Sequence, residues 1–116
     1  MTLSSATHAR SVNPATGETL ATYPWATADD VERAIAQADA GYRLWRRESV
    51  SHRAQKLRDL GAALRNRGEE MARMMSREMG KPILQARAEV AKSASLCDWY
   101  AEHGPAMLAT EATLVE

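Results

Sequence analysis

The stretch RAQKLRDLGAALRNRGEEMARMMSREMGKP, residues 53–82, decides the fold of this chain. Its apolar side chains recur every three or four residues, which is the spacing of one helix face. They are Ala54, Leu57, Leu60, Gly61 and Leu64, followed by Met71, Met74 and Met75. Asn66-Arg67-Gly68 interrupts the pattern and Gly80 ends it, because glycine tolerates the left-handed conformation that terminates helices. Since the acidic pair Glu69-Glu70 favours a helix start, the stretch predicts two consecutive helices.

A further helix is predicted ahead of this stretch. Thr27 can cap its amino terminus, where Asp29-Asp30 favour the positive end of the helix dipole. Its apolar face consists of Val31, Ala34, Ile35, Ala38, Tyr42 and Trp45. The helix that follows it is expected to begin near Ser49 or Ser51, since serine is a good N-cap.

A fourth helix is predicted after the stretch, with Pro82 in its first turn. Its apolar positions are Ile83, Ala86, Val90, Ala94, Cys97 and Ala101. Gly104-Pro105 is expected to stop it, because proline lacks the N–H that a helix interior needs. Residues 112–115 could begin a strand.

The residues ahead of the helices predict a β-hairpin. In SVNPATGETLATYPW, residues 11–25, Asn13 can cap the turn, Pro14 presets its backbone, and Gly17 tolerates positive φ. The flanking strands are residues 11–12 and 18–23, and Pro24 ends the second. A two-stranded hairpin is barely stable alone, so this one is expected to dock on another part of the protein.

Composition limits the possible functions. Fifteen basic and fifteen acidic residues leave no formal net charge, which gives no global attraction to nucleic acid or to anionic membranes. Leu, Ile, Val and Phe account for only 17 of 116 residues, so we expect a thin core that leans on other surfaces. The single cysteine excludes an internal disulfide. No apolar run could span a bilayer and residues 1–10 are no secretory signal, so a cytoplasmic protein is expected.

Candidate chemistry is scarce. Residues 41–67 carry eight basic and two acidic side chains; they could follow a phosphate backbone, but without a nucleic-acid motif we favour a solvated helix face. Cys97 lies on an apolar stripe beside Asp98, which favours packing over nucleophilic chemistry. The three histidines, His8, His52 and His103, have no metal-ligand spacing and are interpreted as surface or cap residues.

A Gly-Lys pair in residues 78–82, EMGKP, could suggest phosphate binding. A P-loop, however, needs a preceding strand, an upstream glycine and a Ser or Thr after the lysine. Here a helix precedes the pair and Pro82 follows it. The motif therefore predicts a junction between helices, with Gly80 ending one and Pro82 opening the next.

Several motifs occur along the chain in the order NPATGE, AIAQADAGYRLWR, residues 53–82 and ARAEV. The Glu-x-Gly-Lys-Pro element forms the end of residues 53–82. Together they resemble the amino-terminal portion of the NAD(P)-dependent aldehyde dehydrogenases. Residues 97–108, CDWYAEHGPAML, are similar to the bacterial succinate-semialdehyde dehydrogenase branch.

The resemblance implies a mainly α chain with a short N-terminal β-hairpin, forming the N-terminal part of an α/β, Rossmann-like cofactor domain. On this basis residues 1–10 are a loose amino terminus, residues 11–24 the hairpin, and residues 25–116 one helical layer of an incomplete cofactor-binding domain. The hairpin and the Ala-rich helix faces would then pack on strands encoded further along.

The resemblance also implies a chemistry. The family oxidises an aldehyde to an acid through a cysteine thiohemiacetal, hydride transfer to nicotinamide and thioester hydrolysis, usually as a dimer or tetramer. It implies succinate semialdehyde as the substrate of the full-length enzyme and NAD or NADP as its cofactor. The family's nucleophile motif, general-base glutamate, cofactor-binding glycines and ribose-binding lysine have no match here, and neither Lys81 nor Cys97 takes their place.

We therefore expect no catalytic, cofactor-binding or metal-binding residue in this chain, which alone should be inactive and bind no cofactor. Its expected partners are the remainder of an aldehyde dehydrogenase chain and further copies in a homo-oligomer. The alternative is a helical module that self-associates or docks a partner without catalysis.

Overall fold

The computed structural model describes residues 8–111, in which two strands precede four helices. The elements are β1 His8–Val12, β2 Thr19–Pro24, α1 Ala28–Trp45, α2 Val50–Asn66, α3 Gly68–Met79 and α4 Ile83–Met107. This confirms the predicted mainly helical fold with a short amino-terminal hairpin. The strand predicted at residues 112–115 lies outside the described residues.

The two strands pair antiparallel, from His8 opposite Pro24 to Val12 opposite Thr19. The predicted turn is confirmed: the Asn13 side-chain oxygen accepts from the Ala15 N–H at 2.9 Å, and Gly17 has a φ of 75°. The hairpin starts at His8, so the boundary predicted at residue 11 is three residues late. Because the second strand extends to Pro24, residues 8–10 find pairing partners there.

The helix starts follow the predicted caps. The Thr27 hydroxyl accepts from the Asp30 N–H at 3.2 Å, and the Asp30 carboxylate accepts from the Thr27 N–H at 2.9 Å. These reciprocal bonds form a capping box, and the hydrogen bonds from Thr27 lower the pKa of Asp30. Ser49 caps α2 by accepting from the His52 N–H at 3.1 Å.

The core is narrow and lies where α4 packs against α2 and α3. Its buried apolar residues are small: Ala54, Ala72, Ala86, Val90, Ala94 and Ala101. The chain is elongated as a result, with a radius of gyration of 20.4 Å, against about 13 Å for a compact domain of 100 residues. The predicted thin core is therefore confirmed.

The predicted helix stop at Gly104-Pro105 is wrong, because α4 continues through both residues to Met107. Proline at this position leaves the carbonyl of Ala101, four residues earlier, without its helical donor. Arg58 of α2 donates from Nη2 to that carbonyl at 3.3 Å. A contact from a neighbouring helix thus replaces the hydrogen bond that proline removes.

Candidate functional site

Residues 78–82 form the predicted junction between two helices. Gly80 ends α3 in the left-handed conformation, with φ 70°, and its N–H donates to the Ser76 carbonyl at 3.0 Å. The Pro82 carbonyl then accepts from Gln85 and Ala86 in the first turn of α4. The Gly-Lys pair therefore belongs to a helix stop and restart.

The hairpin docks on this junction. Ser11 donates from its hydroxyl to Glu78 at 3.1 Å, and Lys81 pairs with Glu89 of α4. A Cβ on Gly80 would stand 3.0 Å from Cγ of Pro14 in the hairpin turn. The polar side chains of the motif hold the hairpin, α3 and α4 together, which answers the expectation that the hairpin needs a docking surface.

Glu69 links α3 to α4. Its carboxylate accepts two hydrogen bonds from Arg87, at 2.7 and 2.9 Å, and one from Arg73 at 2.8 Å. The hydrogen bond from Arg87 is the main reason that the pKa of Glu69 falls to about 2. In the sequence analysis, a favourable interaction with the helix dipole was the only role assigned to Glu69-Glu70. The spacing of four residues within one helix could have indicated Arg73 as a partner of Glu69, but it could not have indicated Arg87, which lies on another helix.

Cys97 lies at the contact between α2 and α4. It is half-buried, and its Cβ would be 3.3 Å from a Cβ placed on Gly61. Next to it, Asp98 pairs with Arg65 across the two helices, and this hydrogen bond raises the pKa of Arg65. These contacts support the packing role predicted for Cys97.

The three histidines lie on three different elements. His8 lies in β1, and His52 lies in the first turn of α2 with its ring 6.5 Å from that of Trp45. His103 donates from Nδ1 to the Trp99 carbonyl at 2.8 Å and stacks on its ring. Within residues 8–111 no group of three or more His, Cys, Asp or Glu side chains could hold a metal.

The basic segment of residues 41–67 is largely engaged within the chain. Carboxylates pair with Arg43, Lys56, Arg65 and Arg67. Arg46 lies over the Tyr42 ring at 5.7 Å, and Arg58 binds a carbonyl of α4. These contacts support the interpretation of the segment as a solvated helix face. In the described part of the chain, none of the helices combines the length and apolar character needed to cross a membrane.

Helix α1 presents an uncovered apolar face. None of its residues is buried, and Val31, Ile35 and Tyr42 are 47%, 59% and 59% exposed. Soluble proteins rarely leave such a contiguous apolar stripe in water. The face predicted for α1 is therefore present, and Val31 and Ile35 on it remain exposed in the described part of the chain.

An apolar cleft of about 390 Å³ lies where the end of α1, the start of α2 and the end of α4 meet. We name it the Trp45 cleft. It is lined by Trp45, Val50, Arg53, Ala54, Leu57, Tyr100, Gly104, Pro105 and Leu108. Nε of Arg53 is shielded from solvent and has no hydrogen-bond partner in the described chain.

Residues 8–111 do not form a cradle for a dinucleotide. Such a cradle places a glycine-rich turn between a strand of a parallel sheet and a helix. Here the turn at Gly17 joins two antiparallel strands, and Gly80 joins two helices. Neither glycine of the described residues with positive φ therefore lies in a turn of that kind.

Comparison with known proteins decides the family. The model of the aldehyde dehydrogenase family matches residues 2–115, nearly the whole chain. The chain belongs to this family. The resemblance found in the sequence motifs is thereby confirmed.

Several family members are similar to the chain. The NAD(P)+ succinate semialdehyde dehydrogenase Sad of Escherichia coli (strain K12) is 68% identical over 116 residues, which are all of this chain and 25% of that protein. The crystal structure of succinate-semialdehyde dehydrogenase from Burkholderia pseudomallei is 31% identical with a TM-score of 0.82, covering 94% of this chain and 23% of that one.

A third relative is the succinic semialdehyde dehydrogenase of Streptococcus pyogenes, whose structure is a complex with NADP+ as the cofactor. It is 28% identical with a TM-score of 0.80, and the match covers 86% of this chain and 22% of that one. The chain thus spans about a quarter of the length of the aldehyde dehydrogenases that it matches.

Proposed function

We propose that the chain is the amino-terminal part of an NAD(P)-dependent aldehyde dehydrogenase that oxidises succinate semialdehyde to succinate. The 68% identity to the Escherichia coli enzyme over all 116 residues carries the proposal. In the balanced reaction, the aldehyde, water and NAD(P)+ give the acid, NAD(P)H and a proton. The chemistry is assigned to residues outside this chain, because the family's nucleophile, general-base and cofactor-binding motifs have no match in its sequence.

The role of this segment is structural in that proposal. The helices of residues 25–116 form one layer of the cofactor domain, and their apolar faces pack on strands encoded elsewhere. The uncovered face of α1 supports this role, because 59% exposure of Ile35 leaves most of an aliphatic side chain in water. The isolated chain should then bind no NAD(P) and oxidise no aldehyde.

The complete enzyme is proposed to be a cytoplasmic homo-oligomer, a dimer or tetramer. Its cofactor is NAD or NADP. The oligomeric state and the cofactor follow from the family, and they can be measured on the complete protein by sedimentation and by comparing NAD with NADP.

The test is to express the reading frame that encodes this chain together with any codons that follow Glu116. We expect production of NAD(P)H with succinate semialdehyde, and much less with butanal, which has the same carbon count but no carboxylate. The 116-residue chain serves as the inactive control. A soluble protein with no activity on either aldehyde would refute the assignment, and activity only on butanal would refute the substrate.

A second candidate function is a helical module that self-associates. The exposed stripe of α1 favours it, because a second copy could cover that stripe. Sedimentation of the isolated chain separates the two proposals. A stable dimer with a sharp thermal transition supports the module, whereas a monomer or an aggregating species of low cooperativity supports an incomplete enzyme domain.

A further inference from the structure

The Trp45 cleft leaves large apolar side chains in water. Trp45 is 44% exposed, Tyr100 is 52% exposed and Leu108 is 65% exposed. Trp45 belongs to α1, Tyr100 belongs to α4, and Leu108 is the residue after α4. The α2 residues of the lining meet them there, and side chains from three helices that surround one concave surface usually line a binding pocket or an interface.

Arg53 supplies the one buried, unpaired polar atom of this cleft in the described chain. Its Nε is shielded from water and lacks a partner, although a buried donor normally finds an acceptor. Arg58, five residues later on α2, finds its acceptor at the Ala101 carbonyl. The difference indicates that the described chain supplies an acceptor for Arg58 and none for Nε of Arg53.

We propose that the Trp45 cleft is the docking site for a segment of the same polypeptide that lies outside this chain. The segment would insert an apolar side chain between Trp45 and Tyr100. It would also present a carbonyl or carboxylate oxygen to the Arg53 guanidinium, which reaches it by rotating its flexible side chain. This inference rests on the proposed function and assigns the contact that covers this part of the surface.

Two observations favour a segment of the same polypeptide over a second copy. The relatives are about four times as long as this chain, so most of the polypeptide that could cover the cleft lies outside it. A stable dimer buries about 800 Å² on each partner, whereas a cleft of about 390 Å³ accepts only a few side chains.

The first test joins residues 1–116 to the part of the Escherichia coli relative that lies beyond its matched quarter. Hydroxyl-radical footprinting with mass spectrometry reads the oxidation of Trp45 and Tyr100 directly. We expect both to react at least about fivefold more slowly in the joined protein than in the isolated chain. Equal reactivity in the two forms would overturn the proposal, as would protection in the isolated chain that grows with its concentration.

Arg53→Met provides a second readout that depends on the acceptor. In the isolated chain it removes an unpaired donor, so the unfolding midpoint should stay the same or rise. In the joined protein it strands the partner oxygen, so the midpoint should fall. Lys56→Met, on an exposed face of the same helix, is the control and should behave alike in both forms. An Arg53→Met effect of the same sign in both forms contradicts the proposal.

Aldehyde oxidation by the joined protein separates this inference from the proposed function. Activity with a reactive Trp45 overturns the docking site alone, whereas protection without activity overturns the function alone. If the joined protein does not fold, overlapping peptides from the same Escherichia coli region are titrated into the isolated chain that carries both Trp25→Phe and Trp99→Phe. Trp45 is then the only indole, and the absence of any peptide that changes its fluorescence also overturns the docking site.

Discussion

At the scale of single residues, glycine marks the closest approach of two helices. A Cβ on Gly61 would lie 3.0 Å from Oδ1 of Asp98, 3.2 Å from the Ala94 carbonyl oxygen and 3.3 Å from Cβ of Cys97. The carbonyl is part of the α4 backbone and cannot rotate away. Small residues on both helices therefore allow contact, and they also explain why this core buries so little area.

We predict that Gly61→Ala destabilises the chain. Overpacking costs about 1–3 kcal/mol, while alanine in a helix gains about 1 kcal/mol over glycine, so the net loss should be about 1 kcal/mol. Urea unfolding followed by circular dichroism measures it. Gly41→Ala is the matched control, because nothing lies within 4 Å of its Cβ; a gain in stability from both substitutions would contradict the close approach.

A second pair of glycines distinguishes the energetic cost of a left-handed backbone conformation from the cost of a steric contact. Gly17 and Gly80 both have positive φ, of 75° and 70°, but only Gly80 would meet a neighbour, Pro14 at 3.0 Å. We predict that Gly17→Ala costs about 1 kcal/mol from the left-handed conformation, and that Gly80→Ala costs about 1 kcal/mol more from displacing the hairpin. Equal losses in the urea midpoint would mean that the hairpin does not dock on this junction.

At the scale of elements, one carboxylate joins two helices in a manner that depends on pH. Arg87 and Arg73 lower the pKa of Glu69 from 4.5 to about 2. Since the pKa is lower in the folded state, the ion pairs stabilise the fold fully above pH 4.5, and this contribution disappears as the pH falls toward 2.

We predict that Glu69→Gln weakens the dependence of stability on pH between pH 4.5 and about pH 2. The variant should be less stable than the parent above pH 4.5, and the difference should shrink steadily on acidification toward pH 2. Thermal midpoints across that range measure it, with Glu32→Gln on the exposed face of α1 as control. A constant difference between Glu69→Gln and the parent at every pH would exclude the titration of Glu69 as its cause.

Elements that depend on local chemistry were predictable from sequence, whereas those that depend on a distant residue were not. The Asn13 turn, the Thr27 cap and the Gly80 helix stop each follow from the residues beside them. Where α4 continues through Pro105, the freed Ala101 carbonyl accepts from Arg58, a donor 43 residues earlier in the chain. A local pattern cannot reveal such a donor, nor the link from Glu69 to Arg87.

The candidate site likewise has a part that the sequence could predict and a part that it could not. The sequence motifs identified the family and predicted the junction at residues 78–82, because each residue there acts through its own backbone preference. The Trp45 cleft was not predicted, since its lining residues belong to three segments that only the tertiary fold brings together. Trp45 and Leu57 look like ordinary stripe residues in sequence, and Arg53 looks like a solvated cation.

At the scale of the whole molecule, the elongated shape and the exposed face of α1 have one explanation. The chain extends 68 Å along its longest axis, and the buried apolar residues among residues 8–111 lie on α2, α3 and α4. Most of the hydrophobic stabilisation available to α1 therefore requires a surface that residues 8–111 do not provide. Stability should consequently respond to the same substitution differently in the chain and in a longer protein.

Ile35→Gln tests that dependence on context. In the isolated chain it should change the free energy of unfolding by less than about 0.5 kcal/mol, as exposed substitutions do, whereas Val90→Ala, at a site only 4% exposed, should cost about 2 kcal/mol. In the chain joined to the remainder of the Escherichia coli relative, Ile35→Gln should cost about 2 kcal/mol as well, because the side chain is then buried. Chemical denaturation of the isolated chain and of the joined protein measures these three values. A small effect of Ile35→Gln in the joined protein would mean that α1 keeps its apolar face in water, and the proposed packing of this helix against the rest of the enzyme would be wrong.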